Sequence, residues 1–382
     1  MEFVLSEEQT ELREAVIRFA RQEIGHDLSS CDKEGSFPFD SWQKCADMQI
    51  IAMPFPEEYG GCGADLLTTV VILQALGYSC RDAGLVHALA TQILCGLQIH
   101  LFGTDEQKQR FLPPLCRGET VFAQAITEPG AGSDAIGAMQ TRATKSADGY
   151  LLNGSKMFIS NGPIADVVIV FALTNPEGSR LGGISCFLVE KETPGFTRCP
   201  PIEKMGLCTL QNGELVFDDC RVSASALLGR EGQGAIIFNE SMEWERSLLP
   251  AAHLGTLERI LETSVDYARK RSAFGQPIGK YQAVANKIVE MKVAYELGQL
   301  ILYKAAALKG QGKRAAMEAS IAKLFISEGL KQSCLDAVQV HGGYGFTKEY
   351  EIERDLRDSI AGTIYSGTSE MQQAIISRLL GL

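Results

Sequence analysis

The hydrophobic period of this chain changes twice, and that order of periods restricts the fold more than any other feature. Over the first third, apolar residues fall at helical spacing. Ser6 and Gln9 stand as a capping box requires, and Leu12, Ala15, Val16, Phe19 and Ala20 then repeat along one face. Thr104 and Gln107 repeat the device ahead of Phe111 and Leu112, and Pro56-Glu57-Glu58-Tyr59-Gly60-Gly61 reads as a loop between helices. From about Val121 the pattern turns to short β-branched runs. Val167 to Phe171, Ile184 to Val189 and Glu214 to Phe217 read as strands, and Asn153-Gly154 predicts a hairpin turn between Tyr150 and Ile159. From Ala235 the helical pattern returns, in stretches from about Phe238 to Tyr267, Tyr281 to Lys309 and Ala315 to His341. The expectation is an α+β chain with helices over 1–120, an antiparallel β-domain over 121–234 and helices over 235–382. No repeat or long linker separates these parts, so they are expected to pack as one body.

Composition removes several classes of function. The net charge of −11 argues against a general nucleic-acid binder, although Arg269, Lys270, Arg271 and Lys280 form a local basic cluster that could meet phosphates or an acidic partner. No apolar run is read as reaching the ~18–20 residues of a membrane span. Met1 to Glu8 lacks the basic-then-apolar layout of a signal peptide. Eleven cysteines without a C-x-x-C pair suit reduced thiols in a cytoplasm, the predicted location, better than a disulfide frame or zinc site. There is no G-x-S-x-G elbow, no H-E-x-x-H metal motif and no G-x-G-x-x-G, so hydrolase, metal and nicotinamide readings lack support.

Five segments carry the chemistry: Ala125 to Asp134 (AITEPGAGSD), Phe158 to Gly162 (FISNG), Arg271 to Ile278 (RSAFGQPI), Gln339 to Gly345 (QVHGGYG) and Ile364 to Gln372 (IYSGTSEMQ). Alone, each reads as a turn or helix stop. Together, in this order and at this spacing, they resemble the acyl-CoA dehydrogenases over essentially the whole chain. The resemblance implies an N-terminal helical domain, a middle antiparallel β-domain and a C-terminal four-helix bundle, with FAD held between the last two.

The positions matching the family's flavin contacts are Gln124, Ile126, Thr127, Gly132, Ser133, Phe158 and Ser160. Backbone N–H groups and small hydroxyls can bond the polar edge of a flavin without crowding it. Phe158 stands where many members have tryptophan, and its ring can still cover the flavin. Arg271, Phe274 and Gln282 match one side of the adenine and diphosphate site, and Gln339, Gly342, Gly343, Thr368 and Glu370 match the other. Arginine suits a diphosphate through its permanent charge and forked donors. In the family these two sides come from neighbouring subunits, which implies a homodimer or, more commonly, a homotetramer.

Ser366 stands where most members carry the glutamate that removes the substrate's Cα proton. A serine hydroxyl is far too weak a base to replace it. Ser241-Met242-Glu243-Trp244-Glu245-Arg246 supplies a carboxylate instead. Arg246 matches the arginine that begins the family's substrate-lining helix. Glu245 then falls where isovaleryl- and long-chain-type members place their base, and those branches keep a small residue at the position of Ser366. The resemblance therefore makes Glu245 the catalytic base, with Ser366, Arg246, Ser133 and Tyr365 in the substrate pocket. Cys31 to Pro38, Gly77 to Asp82 and Ser241 to Arg246 are most similar to enzymes that oxidise a prolyl group on a carrier protein. The implied substrate partner is an acyl or aminoacyl carrier protein, or an acyl-CoA, and the implied electron acceptor is an electron-transferring flavoprotein or oxygen. A branched-chain acyl-CoA dehydrogenase of the isovaleryl type is the alternative, and a non-catalytic flavin-binding protein is an alternative of another class.

Overall fold

The structure is a computed structural model that describes residues 5–24, 28–175 and 182–382. Met1 to Val4, part of the segment read above for a signal peptide, lie outside the described residues. Helices α1 (Glu7–Glu23), α2 (Leu28–Glu34), α3 (Phe39–Asp47), α4 (Leu66–Ser79), α5 (Ala83–Phe102) and α6 (Asp105–Cys116) come first. Both capping boxes are formed: Gln9 N–H donates to Ser6 Oγ at 3.1 Å and Gln107 N–H to Thr104 Oγ1 at 3.2 Å, each returned by the glutamine side chain. Strands β1 (Phe122–Ala125), β2 (Arg142–Ser146), β3 (Gly149–Ser160), β4 (Val167–Leu173), β5 (Ile184–Glu190), β6 (Phe196–Pro201), β7 (Asn212–Ser223) and β8 (Leu227–Leu228) follow. They form one eight-stranded sheet in the order β6-β7-β3-β2-β4-β5-β8, with β1 paired to β4. The long helices α7 (Gly234–Lys270), α8 (Gln282–Gly310) and α9 (Ala316–His341) then pack on one another, and α7 and α8 also pack on α4. The chain closes with α10 (Gly343–Phe346), α11 (Ile352–Ala361) and α12 (Ser369–Leu379), all three against α9.

Three expectations change. Asn153-Gly154 does not turn a hairpin: it lies inside β3, where the register with β7 shifts. Gly154 has φ +145°, and a Cβ there would sit 2.6 Å from Thr141 Oγ1, so glycine serves a bulge and a close approach. The turn between β2 and β3 falls earlier, at 147–148. The sheet is also not wholly antiparallel, because β4 runs parallel to β1 and pairs in parallel with the first residue of β2. Finally, α5 is long and apolar enough to cross a membrane, contrary to the reading above, but 78% of that window is buried inside the protein. It is a core helix.

Strand β4 explains how the layers join. Val167, Ile169 and Phe171 face the large core shared with the helices, whereas Val168, Val170 and Ala172 face a second core on the other side of the sheet. A strand buried on both faces reads as a continuous apolar run, which is what VVIVFAL is. On the helical side, α4 and α7 touch backbone to backbone. A Cβ on Gly77 would lie 2.1 Å from Ala252 O, and one on Gly255 would lie 2.0 Å from Gln74 O. That contact fixes the height of α7 in the molecule, and α7 carries Glu245.

Candidate active site

Glu245 lies on α7 and Ser366 on the loop between α11 and α12. Ser366 Oγ donates to Glu245 Oε1 at 2.5 Å, so the two residues singled out from sequence meet. Neighbouring groups hold the loop. Arg246 Nε and Gln372 Nε2 donate to Ser366 O at 3.1 and 3.0 Å, and Lys323 Nζ donates to Gly367 O at 2.7 Å. Ser366 itself has φ 58°, a left-handed backbone that a serine adopts at a cost of about 1 kcal/mol or more. Those donors offset that cost by fixing both carbonyls. Glu243, two residues before the candidate base, takes another direction and pairs with Lys309 at 3.0 Å.

Burial is the main influence on the Glu245 carboxyl and raises its pKa above the ordinary carboxylate value; the Ser366 hydrogen bond, Arg246 and Lys323 pull it partly back. Desolvation also lowers the Lys323 ammonium to about 8, with Arg246 adding to the effect. Lys323 is 2% exposed on α9 and was not found from sequence. A lysine within a helix otherwise buried by Ala319, Ala322 and Ile326 was the available signal.

On the sheet side, Gln124 lies in β1 and its side chain accepts from Gln98. Ile126 O accepts from Lys156 Nζ at 3.0 Å, and Thr127 O accepts from Met157 N–H at 2.8 Å. Lys156 also meets Glu128 at 2.9 Å, and this pair, 0% and 6% exposed, anchors the Ala125–Asp134 loop to β3. Gly132 and Ser133 stand exposed beyond it. Phe158 is 63% exposed and has φ 59°. An exposed aromatic ring on a left-handed backbone is an uncovered apolar face, and a Cβ on Gly132 would likewise meet nothing within 4 Å among the described residues. Ser160 Oγ accepts from Asn212 Nδ2 at 3.1 Å and lies 3.4 Å from His87 Nε2. The His87 ring stands edge-on to Tyr365, centroids 4.7 Å apart. Ser160, His87, Tyr365, Ser366 and Glu245 thus form a continuous path from β3 to α7.

The expected dinucleotide positions separate into two places, but not along the expected line: Gln339, Gly342 and Gly343 fall with Arg271 and apart from Thr368 and Glu370. Arg271 follows α7 and lies over the Tyr344 ring at 6.0 Å, so the Gln339–Gly343 segment at the end of α9 sits on its side of the molecule. Phe274, 97% exposed at φ 49°, and Gln282 at the start of α8 belong to the same end. Gly342 stops α9 at φ 58°. Thr368 and Glu370 instead open α12, where Thr368 Oγ1 accepts from Met371 N–H, close to the Lys323 contact. Lys323 and Gln339 lie about 24 Å apart along α9 at 1.5 Å per residue. One chain therefore does not gather all eight positions.

Sequence profiles of the N-terminal, middle and C-terminal domains of acyl-CoA dehydrogenases match residues 6–119, 123–220 and 232–381. The chain belongs to the acyl-CoA dehydrogenase family. Among its relatives, an L-prolyl-(peptidyl-carrier protein) dehydrogenase of Pseudomonas fluorescens is 43% identical, over 94% of this chain and 96% of the relative. The crystal structure of the prolyl acyl carrier protein oxidase AnaB superposes with a TM-score of 0.97 at 47% identity, covering 99% of this chain and 100% of AnaB. PigA, solved with FAD and proline, gives a TM-score of 0.97 at 39% identity, with both chains fully covered. In this acyl-CoA dehydrogenase the Ser366 hydroxyl is held against the buried Glu245 carboxyl.

Proposed function

We propose that this protein is an FAD-dependent dehydrogenase that oxidises an acyl thioester, a prolyl group on a carrier protein, with Glu245 as the base. The observation that supports this is the Ser366–Glu245 hydrogen bond at 2.5 Å, which holds a buried carboxylate from α7 against the residue that replaces the family's usual glutamate. The substrate class is supported by the two prolyl-carrier enzymes and by PigA, which match over 94%, 99% and 100% of this chain.

Gln124, Ile126, Thr127, Gly132, Ser133, Phe158 and Ser160 would hold the flavin, and the uncovered face of Phe158 suits a flat ring. When bound there, FAD would supply the acceptor for the hydride from Cβ. Glu245 takes the Cα proton, acidified by the adjacent thioester carbonyl. Its raised pKa makes it a stronger base than an exposed carboxylate, and Ser366 keeps it aimed and ionised. Arg246 holds the Ser366 carbonyl, so it positions the loop. Tyr365 and Ser366 shape a pocket for a group branched at Cα. Because Thr368 and Glu370 lie far from Arg271, a second copy of the chain would complete each dinucleotide site, in a dimer or tetramer. An electron-transferring flavoprotein or oxygen would reoxidise the flavin.

The test mixes the flavin-loaded protein with L-prolyl-loaded carrier protein and, separately, with a branched acyl-CoA, following flavin bleaching and product mass. Loss of one or two pairs of hydrogens from the prolyl carrier is expected. Glu245→Gln should keep its flavin and lose that reaction. Oxidation of the acyl-CoA alone would replace the prolyl reading, and unchanged bleaching in Glu245→Gln would remove Glu245 as base.

A further inference from the structure

The face of α7 that carries Glu245 continues through Leu249 and His253, about one and two turns along. Both line a small cavity of about 30 Å³ together with His87, Ala252, Thr256 and Tyr365. Such a volume holds roughly one water, so it takes the edge of a small group and not the tail of a long chain. The cavity lies between the two halves of the site. Tyr365 precedes Ser366 on the base side, and His87 reaches Ser160 at 3.4 Å on the sheet side.

Its wall is mostly apolar, and Tyr365, His253 and His87 are among the polar side chains set into it. Tyr365 Oη and His253 Nε2 are 2.6 Å apart. Nδ1 of His253 and Nδ1 of His87 are both buried without a hydrogen-bond partner among the described residues. A buried polar atom left unpaired costs about 1–3 kcal/mol. Burial holds both imidazoles neutral, at about 3 for His253 and about 4 for His87, so each keeps one donor and one acceptor nitrogen at neutral pH. The carboxylates at the cavity's far end are already engaged: Asp355 pairs with Arg259 at 2.8 Å, and Asp358 accepts from Leu207 N–H at 2.5 Å. The imidazoles are what the folded chain leaves unsatisfied.

We propose that Tyr365, His253 and His87 form a polar floor to the acyl pocket that recognises the ring nitrogen of a cyclic aminoacyl thioester and discriminates it from a carbocyclic or branched alkyl group. This deepens the prolyl reading above and rests on it. The three side chains select the substrate and orient its ring; the proton transfer stays with Glu245. A floor built to bond a substrate N–H disfavours an analogue that lacks it, because the analogue leaves the floor's own polar atoms unpaired.

The test compares L-prolyl and cyclopentanecarbonyl groups on the same carrier protein, with the flavin-loaded enzyme. Tyr365→Phe and His253→Leu are each expected to lower the ratio of kcat/KM for the prolyl thioester to that for the carbocyclic one about 10- to 100-fold. His253→Gln, which can still bond Tyr365, should recover most of the preference, and flavin content reports whether each variant has folded. A prolyl-to-carbocyclic ratio that stays constant across the variants overturns the polar floor and leaves the proposed reaction standing. A wild-type enzyme that does not oxidise the prolyl thioester overturns both.

Discussion

Ser366→Ala deletes the hydroxyl that donates to Glu245 at 2.5 Å and leaves the carboxylate in place. A hydrogen bond to an ionised group contributes about 1.5–3 kcal/mol, which is a factor of about 10–150 in the ratio of carboxylate to carboxylic acid. That bond favours the ionised form, so its loss must raise the pKa of Glu245 above a value burial has already raised. A base works only when deprotonated. Activity is therefore lost as pH falls through that pKa, and in Ser366→Ala the loss should begin at higher pH, by about one unit or more. The assay is the rate of flavin bleaching by substrate in a stopped-flow instrument across pH. The high-pH plateau should survive, because the carboxylate remains and has become more basic. An acid limb that does not move would refute the claim that Ser366 tunes Glu245, and a plateau that collapses with an unmoved limb would make Ser366 a positioning residue only.

Ser366→Glu would place a second carboxylate against Glu245. Two like charges at that distance cannot both ionise cheaply, so bleaching at neutral pH should slow and the acid limb should rise further than in Ser366→Ala, with flavin content unchanged. Lys156→Met strands Glu128 in the core, since the pair is 0% and 6% exposed; unfolding free energy should fall by about 3–5 kcal/mol, with part regained in Lys156→Met/Glu128→Gln, as read by denaturant titration. Gly77→Ala forces a Cβ to 2.1 Å from Ala252 O; parting α4 from α7 should cost about 1–3 kcal/mol or more in stability and slow flavin bleaching by displacing Glu245.

The helices and strands were largely legible because burial imposes a period on the sequence. The long helices α7, α8 and α9 begin and end within a few residues of the apolar stretches read for them, and both capping boxes form as written. The misreadings share a cause. Asn153-Gly154 carries the chemistry of a turn, yet the neighbouring backbone at Thr141 uses the same glycine for a close approach inside a strand. The apolar run of α5 was overlooked as a span-length segment, and only its place between other layers makes it a core helix.

What the sequence determined by itself was the order of the three parts, their periodicity and the pairing of a missing glutamate at 366 with a present one at 245. Those properties are local, or are carried by motifs whose spacing survives along the chain. Tertiary structure decided what those residues touch. It brought α7 within 2.5 Å of a loop some 120 positions later, separated Thr368 and Glu370 from the Arg271 end, and set His87, His253 and Tyr365 around one cavity. Each of these depends on how helices cross and how deeply they are buried. The crossing of α4 on α7 at Gly77 and Gly255 sets distances that no spacing along the chain encodes.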